Sequence, residues 1–349
     1  MNWQVQSVIL LAELAGGTVL FRFFIPFFRR VKTGKFDLYI GDRFKKDGSE
    51  PKFAGLVMAL IMVLGLTVGI VGRSLSSDGG AMGNTDLSVF AASAALVLLI
   101  TAAGLVRDYN SDTGRGIGPK RRWVILWRWV LCLGYCCLLG YVGVLDTRLL
   151  LPFHMGNIEL GFIFYPLTAG FMTVIIGLTE LHDCPGGVTD QGCDGLCALT
   201  SMMFCLGSAG ACGLYPRLEI PQIFSVVAAG ACGAYLVWGI SPSKMYLGRS
   251  GSSFLGGCIA VITVTTNMPL AFLCSGIVFI ADGVCTLIGR LVFKRKKQLL
   301  FKGLTLHGHL TNRGWSDYRI MGASALLTLL GAVGTFVYAS YADGILLNK

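Results

Sequence analysis

The chain has 349 residues, of which 54% are hydrophobic and only 14% charged, with a net charge of +10. Soluble domains carry about 25% charged residues, and a chain of this size cannot enclose several consecutive fully apolar helices, so a soluble multidomain protein is excluded. The apolar residues fall in continuous runs of about twenty rather than in alternating ten-residue segments, which excludes a strand barrel and predicts α-helices crossing a hydrocarbon core.

The first predicted span, residues 8–28, is read as a retained helix. It lacks a basic start and a small-residue cleavage site, and Arg29 and Arg30 follow it. Further spans are predicted over 53–72, 87–106, 123–145, 160–180, 196–213, 222–240, 254–267, 269–292 and 321–341. The fold class is therefore an all-α integral membrane protein of about ten transmembrane helices, forming a single membrane domain over 1–349. Only Thr266-Asn267-Met268-Pro269 divides the eighth span from the ninth. Between the fourth and fifth, Leu151–Phe162 places a turn at Gly156-Asn157 between apolar arms, which reads as a small external β-hairpin. The 47 glycines suit helices that approach closely in a bilayer.

Basic residues set the expected orientation. Loops 29–52, 107–122, 182–195, 241–253 and 293–320 hold 8, 5, 0, 2 and 7 lysines and arginines. The other loops and the termini hold only Arg73, Arg148, Arg217 and Lys349. Positively charged loops stay inside, so this set is expected in the cytoplasm and both termini outside, in the plasma membrane. The basic excess then faces anionic lipid, and no nucleic-acid partner is needed to explain it.

Unusual polar residues gather in those same loops. Arg107-Asp108-Tyr109 opens one; His182, Asp183, Asp190 and Asp194 lie in another; a third carries Lys244 and Arg249, with Arg249 inside a glycine- and serine-rich stretch; His307 and His309 precede Trp315-Ser316-Asp317. Acidic, histidine and basic groups at one membrane face suit a metal-assisted reaction on a phosphate substrate. They equally suit loops that are polar because they are wet.

The order of the fragments carries more information. Pro51-Lys52-Phe53-Ala54-Gly55, Gly104-Leu105-Val106-Arg107-Asp108-Tyr109, Thr189-Asp190-Gln191-Gly192-Cys193-Asp194-Gly195-Leu196, Tyr246-Leu247-Gly248-Arg249-Ser250-Gly251-Ser252 and Leu306-His307-Gly308-His309 occur in this sequence, followed by Gly314-Trp315-Ser316. This series resembles the phospho-N-acetylmuramoyl-pentapeptide transferase family of the polyprenyl-phosphate N-acetylhexosamine-1-phosphate transferase superfamily. The corresponding family motifs are P-T-M-G-G, G-F-x-D-D-Y, T-D-G-x-D-G-L, F-M-G-D-x-G-S, L-H-H-H and G-W-S. The resemblance implies ten membrane helices with cytoplasmic active-site loops. It also implies transfer of a phospho-sugar from a UDP-sugar to undecaprenyl phosphate, a polyprenyl phosphate lipid, with magnesium, in cell-wall precursor (peptidoglycan) synthesis. A homodimer stays open.

On this resemblance, Asp108 and Asp190 take acid or metal roles, with Asp190 as metal ligand, and Asp194, His307, His309, Arg107 and Arg249 are expected at the substrate. The departures fall on the chemistry. Arg107 stands for the first aspartate of the pair and Arg249 for the magnesium-binding aspartate; Gly308, Gly187, Glu50 and Lys52 replace other motif residues. Magnesium takes oxygen ligands, and an arginine offers no lone pair. At a nominal 5 Å and an effective dielectric near 20, one such arginine repels a dication by roughly 6 to 7 kcal/mol. The planar guanidinium could instead clasp a phosphate, or point to solvent or headgroups.

Other groups admit quieter readings. His182, Cys184, Cys193 and Cys197 bear zinc-type donors in no common spacing. Two-residue spacing of His307 and His309 favours a loop. Asp282 is expected to face the bundle interior, while Arg22, Arg128 and Arg290 are expected to snorkel. Two functions therefore compete: a phospho-sugar transferase with rearranged metal ligands, and a non-catalytic relative that binds a nucleotide- or lipid-linked phospho-sugar or a partner protein. A transporter is weaker, because no span is broken around midplane charges.

Overall fold

The computed structural model describes residues 3–33, 51–75, 83–112, 121–150, 157–183, 193, 195–268, 271–296 and 305–341. Its helices are α1 (Trp3–Thr33), α2 (Ala54–Leu75), α3 (Asn84–Asp112), α4 (Arg121–Tyr141), α5 (Phe164–Asp183), α6 (Leu196–Cys212), α7 (Glu219–Gly239), α8 (Gly248–Thr265), α9 (Ala271–Ser275), α10 (Ile277–Lys296), α11 (Leu306–Thr311) and α12 (Asp317–Tyr341). Among the described residues seven helical segments are long and apolar enough to cross a membrane: Trp3–Arg30, Ala54–Arg73, Asn84–Asn110, Arg122–Tyr141, Gly161–Asp183, Pro216–Gly239 and Asp317–Ser340. The molecule is a helical integral membrane protein. The predicted sixth, eighth and ninth spans correspond to α6, a shorter apolar helix, to α8, which opens on the polar run Gly248–Ser253, and to α9 with α10, which ends in Lys294-Arg295-Lys296.

Burial sorts the helices. From Ser250 to Thr265 every side chain of α8 is buried, and α7 is buried along most of its length. A helix apolar on all sides belongs in the interior, and α8 lies among α2, α3, α5, α6 and α7. The surrounding helices turn large apolar groups outward, among them Leu11, Phe23, Leu64, Leu99, Trp127 and Leu326. In water such a surface would be a liability; against lipid tails it is the ordinary exterior.

Two glycines bring the motif-bearing helices onto α8. A Cβ on Gly55 of α2 would lie 2.2 Å from the carbonyl carbon of Ser250, and one on Gly104 of α3 would lie 2.6 Å from the Arg249 oxygen. Backbone therefore meets backbone at both crossings, a contact only glycine permits. Glu13 of α1 uses the same device elsewhere. Its buried carboxyl fills the space left by Gly65 of α2 and Gly230 of α7.

Between α4 and α5 two short strands, β1 (Arg148–Leu150) and β2 (Asn157–Glu159), pair antiparallel with Leu149 opposite Ile158. The residues joining them, including Gly156, lie outside the described set. The division between the eighth and ninth predicted spans is a real break. α8 ends at Thr265, Asn267 adopts φ +54°, and its side-chain amide donates to the Val144 oxygen at 3.0 Å.

Candidate functional site

Three motif fragments expected in loops are helical. Arg107-Asp108-Tyr109 lies in the final turns of α3, Arg249–Ser253 forms the first turns of α8, and His307 and His309 lie in α11. His182 and Asp183 likewise end α5. For α8 and α11 the physical reason is capping: the first amides of a helix need acceptors, and Asp108 and Asp282 supply them from other elements.

Asp108 is the clearest instance. It is buried, its Oδ1 accepts from the Arg249 amide at 3.0 Å, and its Oδ2 accepts from the Ser250 amide at 2.7 Å. A carboxylate from α3 thus caps the N-terminus of α8, where the helix dipole favours negative charge. Gly248, at φ +67°, makes the turn into this helix, and the Ser250 hydroxyl donates to the Lys52 oxygen at 3.3 Å. Tyr246 donates its amide to the Pro51 oxygen at 3.0 Å. Fragments from three distant parts of the chain are joined by one backbone–backbone bond and by side chains bonded to backbone groups.

Beside this cap lies a charged cluster that sequence reasoning missed. Glu180, near the end of α5, accepts from Arg107 Nη1 at 3.3 Å, from Arg128 Nη2, and from the Ser253 hydroxyl at 2.7 Å. Arg128 also donates to the Ser253 oxygen at 3.1 Å. Arg128 is 3% exposed, so it does not snorkel as expected. A buried guanidinium needs a paired carboxylate, and the signal was available: an acid and a base within neighbouring apolar spans call for each other. Arg249 stands exposed at the same corner. Among the described residues three arginines therefore face two carboxylates there, with both oxygens of Asp108 and the Oε1 of Glu180 engaged.

A second polar cluster forms from α5, α10 and α11. Asp282 is buried inside the bundle, as expected. Its Oδ2 lies 2.7 Å from His182 Nδ1 and 3.1 Å from His307 Nδ1, while its Oδ1 accepts the Leu306 amide at 2.7 Å. His309 lies in the same short helix but outside this group. Among the described residues His182 does not meet Cys193 or Cys197 in a zinc-type grouping. Cys193 and Cys197 direct their thiols toward the carbonyls of Asp317 and Thr179. Cys184, Asp190, Asp194, Gly187 and Glu50 lie outside the described residues.

The chain is 27% identical over 310 residues to a phospho-N-acetylmuramoyl-pentapeptide-transferase of Halalkalibacterium halodurans, covering 87% of this chain and 88% of the relative. It is 24% identical over 339 residues to the protein of that name from Clostridium botulinum strain Alaska E43, covering 97% of each. A third so named, from Shouchella clausii, is 25% identical over 343 residues, covering 95% of this chain and 96% of the relative. The model of glycosyl transferase family 4 matches residues 88–267, which carry the α3, α5 and α8 motifs around the Asp108 cap and amount to just over half of the chain. The chain belongs to glycosyl transferase family 4.

Proposed function

We propose that this protein binds a phospho-sugar, carried on UDP or on a polyprenyl phosphate lipid, at the end of the bundle where α3, α5 and α8 meet. We further propose that arginine takes over there from the magnesium of its relatives. The observation that carries this reading is the corner itself: Arg107, Arg128 and Arg249 stand against Glu180 and Asp108. Asp108 is committed to two backbone amides and Glu180 to two guanidiniums and a hydroxyl. The described groups at this corner suit magnesium poorly, because three guanidiniums outnumber two carboxylates and a dication is repelled by that excess. They fit an anion, because Arg249 is exposed and guanidinium groups clasp phosphate oxygens in pairs. Asp108 then serves by holding the α8 N-terminus in place.

A second reading keeps catalysis. Asp190 and Asp194 retain their motif, and with them the chain would be a transferase acting on the substrates for which its relatives are named, in cell-wall precursor synthesis. In either reading it crosses the bacterial inner membrane about ten times, with both termini outside and the motif-bearing end in the cytoplasm.

Calorimetry with purified protein and a UDP-linked N-acetyl sugar separates the two. Binding is expected to be equal in chelator and in magnesium, and to weaken when Arg249 becomes alanine. Affinity that collapses in chelator, or magnesium-dependent formation of radiolabelled lipid product by the wild type, would establish the metal enzyme instead.

A further inference from the structure

We propose that His182, Asp282 and His307 form a binding site for one divalent first-row transition ion of the zinc class, separate from the arginine-lined corner. One ligand atom from each of the three residues lies within 4.8 Å of the others, and all three residues are buried. Two imidazole Nδ1 atoms face the same carboxylate oxygen at 2.7 and 3.1 Å. Zinc sits about 2.0–2.2 Å from nitrogen and oxygen donors, which in a tetrahedron separates donors by about 3.3 Å. The two nitrogen–oxygen distances therefore need to open by roughly 0.2–0.6 Å, and rotation of the two rings about their side-chain bonds brings the nitrogens to the same spacing.

The surroundings are those of a supported site. The Leu306 amide holds Oδ1 at 2.7 Å and leaves Oδ2 directed at the imidazoles. The Thr305 hydroxyl accepts the Gly308 amide at 3.0 Å and so caps the short helix that carries His307. His182 Nε2 lies 3.4 Å from the Thr200 hydroxyl, a partner for the ring N–H that remains once Nδ1 is committed to a metal. Phe279 packs edge-on against the His182 ring, 5.0 Å between centroids, and closes that side.

Charge argues the same way. With neutral imidazoles the cluster is a buried single negative charge, and its contacts are a backbone amide, a hydroxyl and an aromatic ring. Burial of such a charge is costly without a cation. Imidazole selects zinc, cobalt, nickel or copper, whereas magnesium prefers an all-oxygen shell. Three protein donors leave a position for a non-protein ligand, as in zinc sites that are not purely structural.

The experiment uses tag-free, full-length protein in detergent, stripped with chelator, with neither nucleotide sugar nor lipid phosphate present. Its outcome is thereby independent of the proposed function. Cobalt(II) is titrated while visible absorption is recorded, and zinc is then added in competition. The expected result is one cobalt per chain, with the ligand-field bands of a nitrogen–oxygen site and no thiolate charge-transfer band, displaced by equimolar zinc and unaffected by millimolar magnesium. His182→Ala should weaken binding by at least about 100-fold, and the milder Thr200→Val by about 10-fold. Absence of stoichiometric cobalt or zinc binding by the wild type would overturn the proposal. So would a thiolate band, or binding that persists unchanged in His182→Ala and Asp282→Asn.

Discussion

Replacing Asp108 tests whether this motif aspartate holds the scaffold. Its two oxygens satisfy the Arg249 and Ser250 amides at 3.0 and 2.7 Å within a buried setting. Alanine leaves both donors without their acceptor. A buried unsatisfied amide costs about 1–3 kcal/mol, so the pair amounts to roughly 2–6 kcal/mol. Asparagine keeps one acceptor and presents an NH₂ to the other amide, so about half of that loss is expected. The assay is equilibrium unfolding of the purified protein in mixed detergent and SDS micelles, followed by far-ultraviolet circular dichroism. The order of stability should run wild type, Asp108→Asn, Asp108→Ala, with the alanine variant lower by about 4 kcal/mol. An aspartate whose business is only with substrate would leave stability untouched. If Asp108→Ala unfolds within about 0.5 kcal/mol of wild type, the size of an ordinary surface change, the capping argument is refuted.

Glu180→Gln should destabilise by about 3–5 kcal/mol in the same assay, because it strands the buried Arg128. Combining it with Arg128→Met should recover a good part of that loss, and equal damage from the single and double variants would contradict the pairing. Gly55→Ala should cost about 1–3 kcal/mol, since the new methyl lies 2.2 Å from the Ser250 backbone and must push α2 off α8. A neutral result would mean the crossing is looser than the structure has it. In a cysteine-depleted background, an impermeant thiol reagent added outside cells should label Glu159→Cys but not Gly314→Cys. Labelling at Gly314→Cys would reverse the orientation inferred from the basic loops. Calorimetric affinity for a UDP-linked N-acetyl sugar should fall on Arg249→Ala, with or without chelator.

The sequence by itself determined the class of the molecule and its order. A bilayer core is about 30 Å thick and offers no water, so length and apolarity of a run specify a helix without reference to its neighbours. The predicted spans accordingly lie on helices of the structure, from α1 over 8–28 to α12 over 321–341. The motif order likewise pointed to the family that the comparison assigns. Tertiary structure alone decided where those helices stop and which side chains meet. Arg107–Tyr109, Arg249–Ser253 and His307 looked like loop residues because they are polar, yet each is helical. Helix ends depend on acceptors, and Asp108 reaches the α8 amides from 141 residues away in the chain. Sequence alone placed Asp282 toward the bundle interior without naming its partners, and it did not single out Glu180. The pairing of Glu180 with Arg128, and of Asp282 with His182 and His307, depends on how α4, α5, α10 and α11 are rotated about their axes. Rotation is set by ridge-and-groove contacts between helices, and a run that is apolar on every side leaves no mark of it in the sequence.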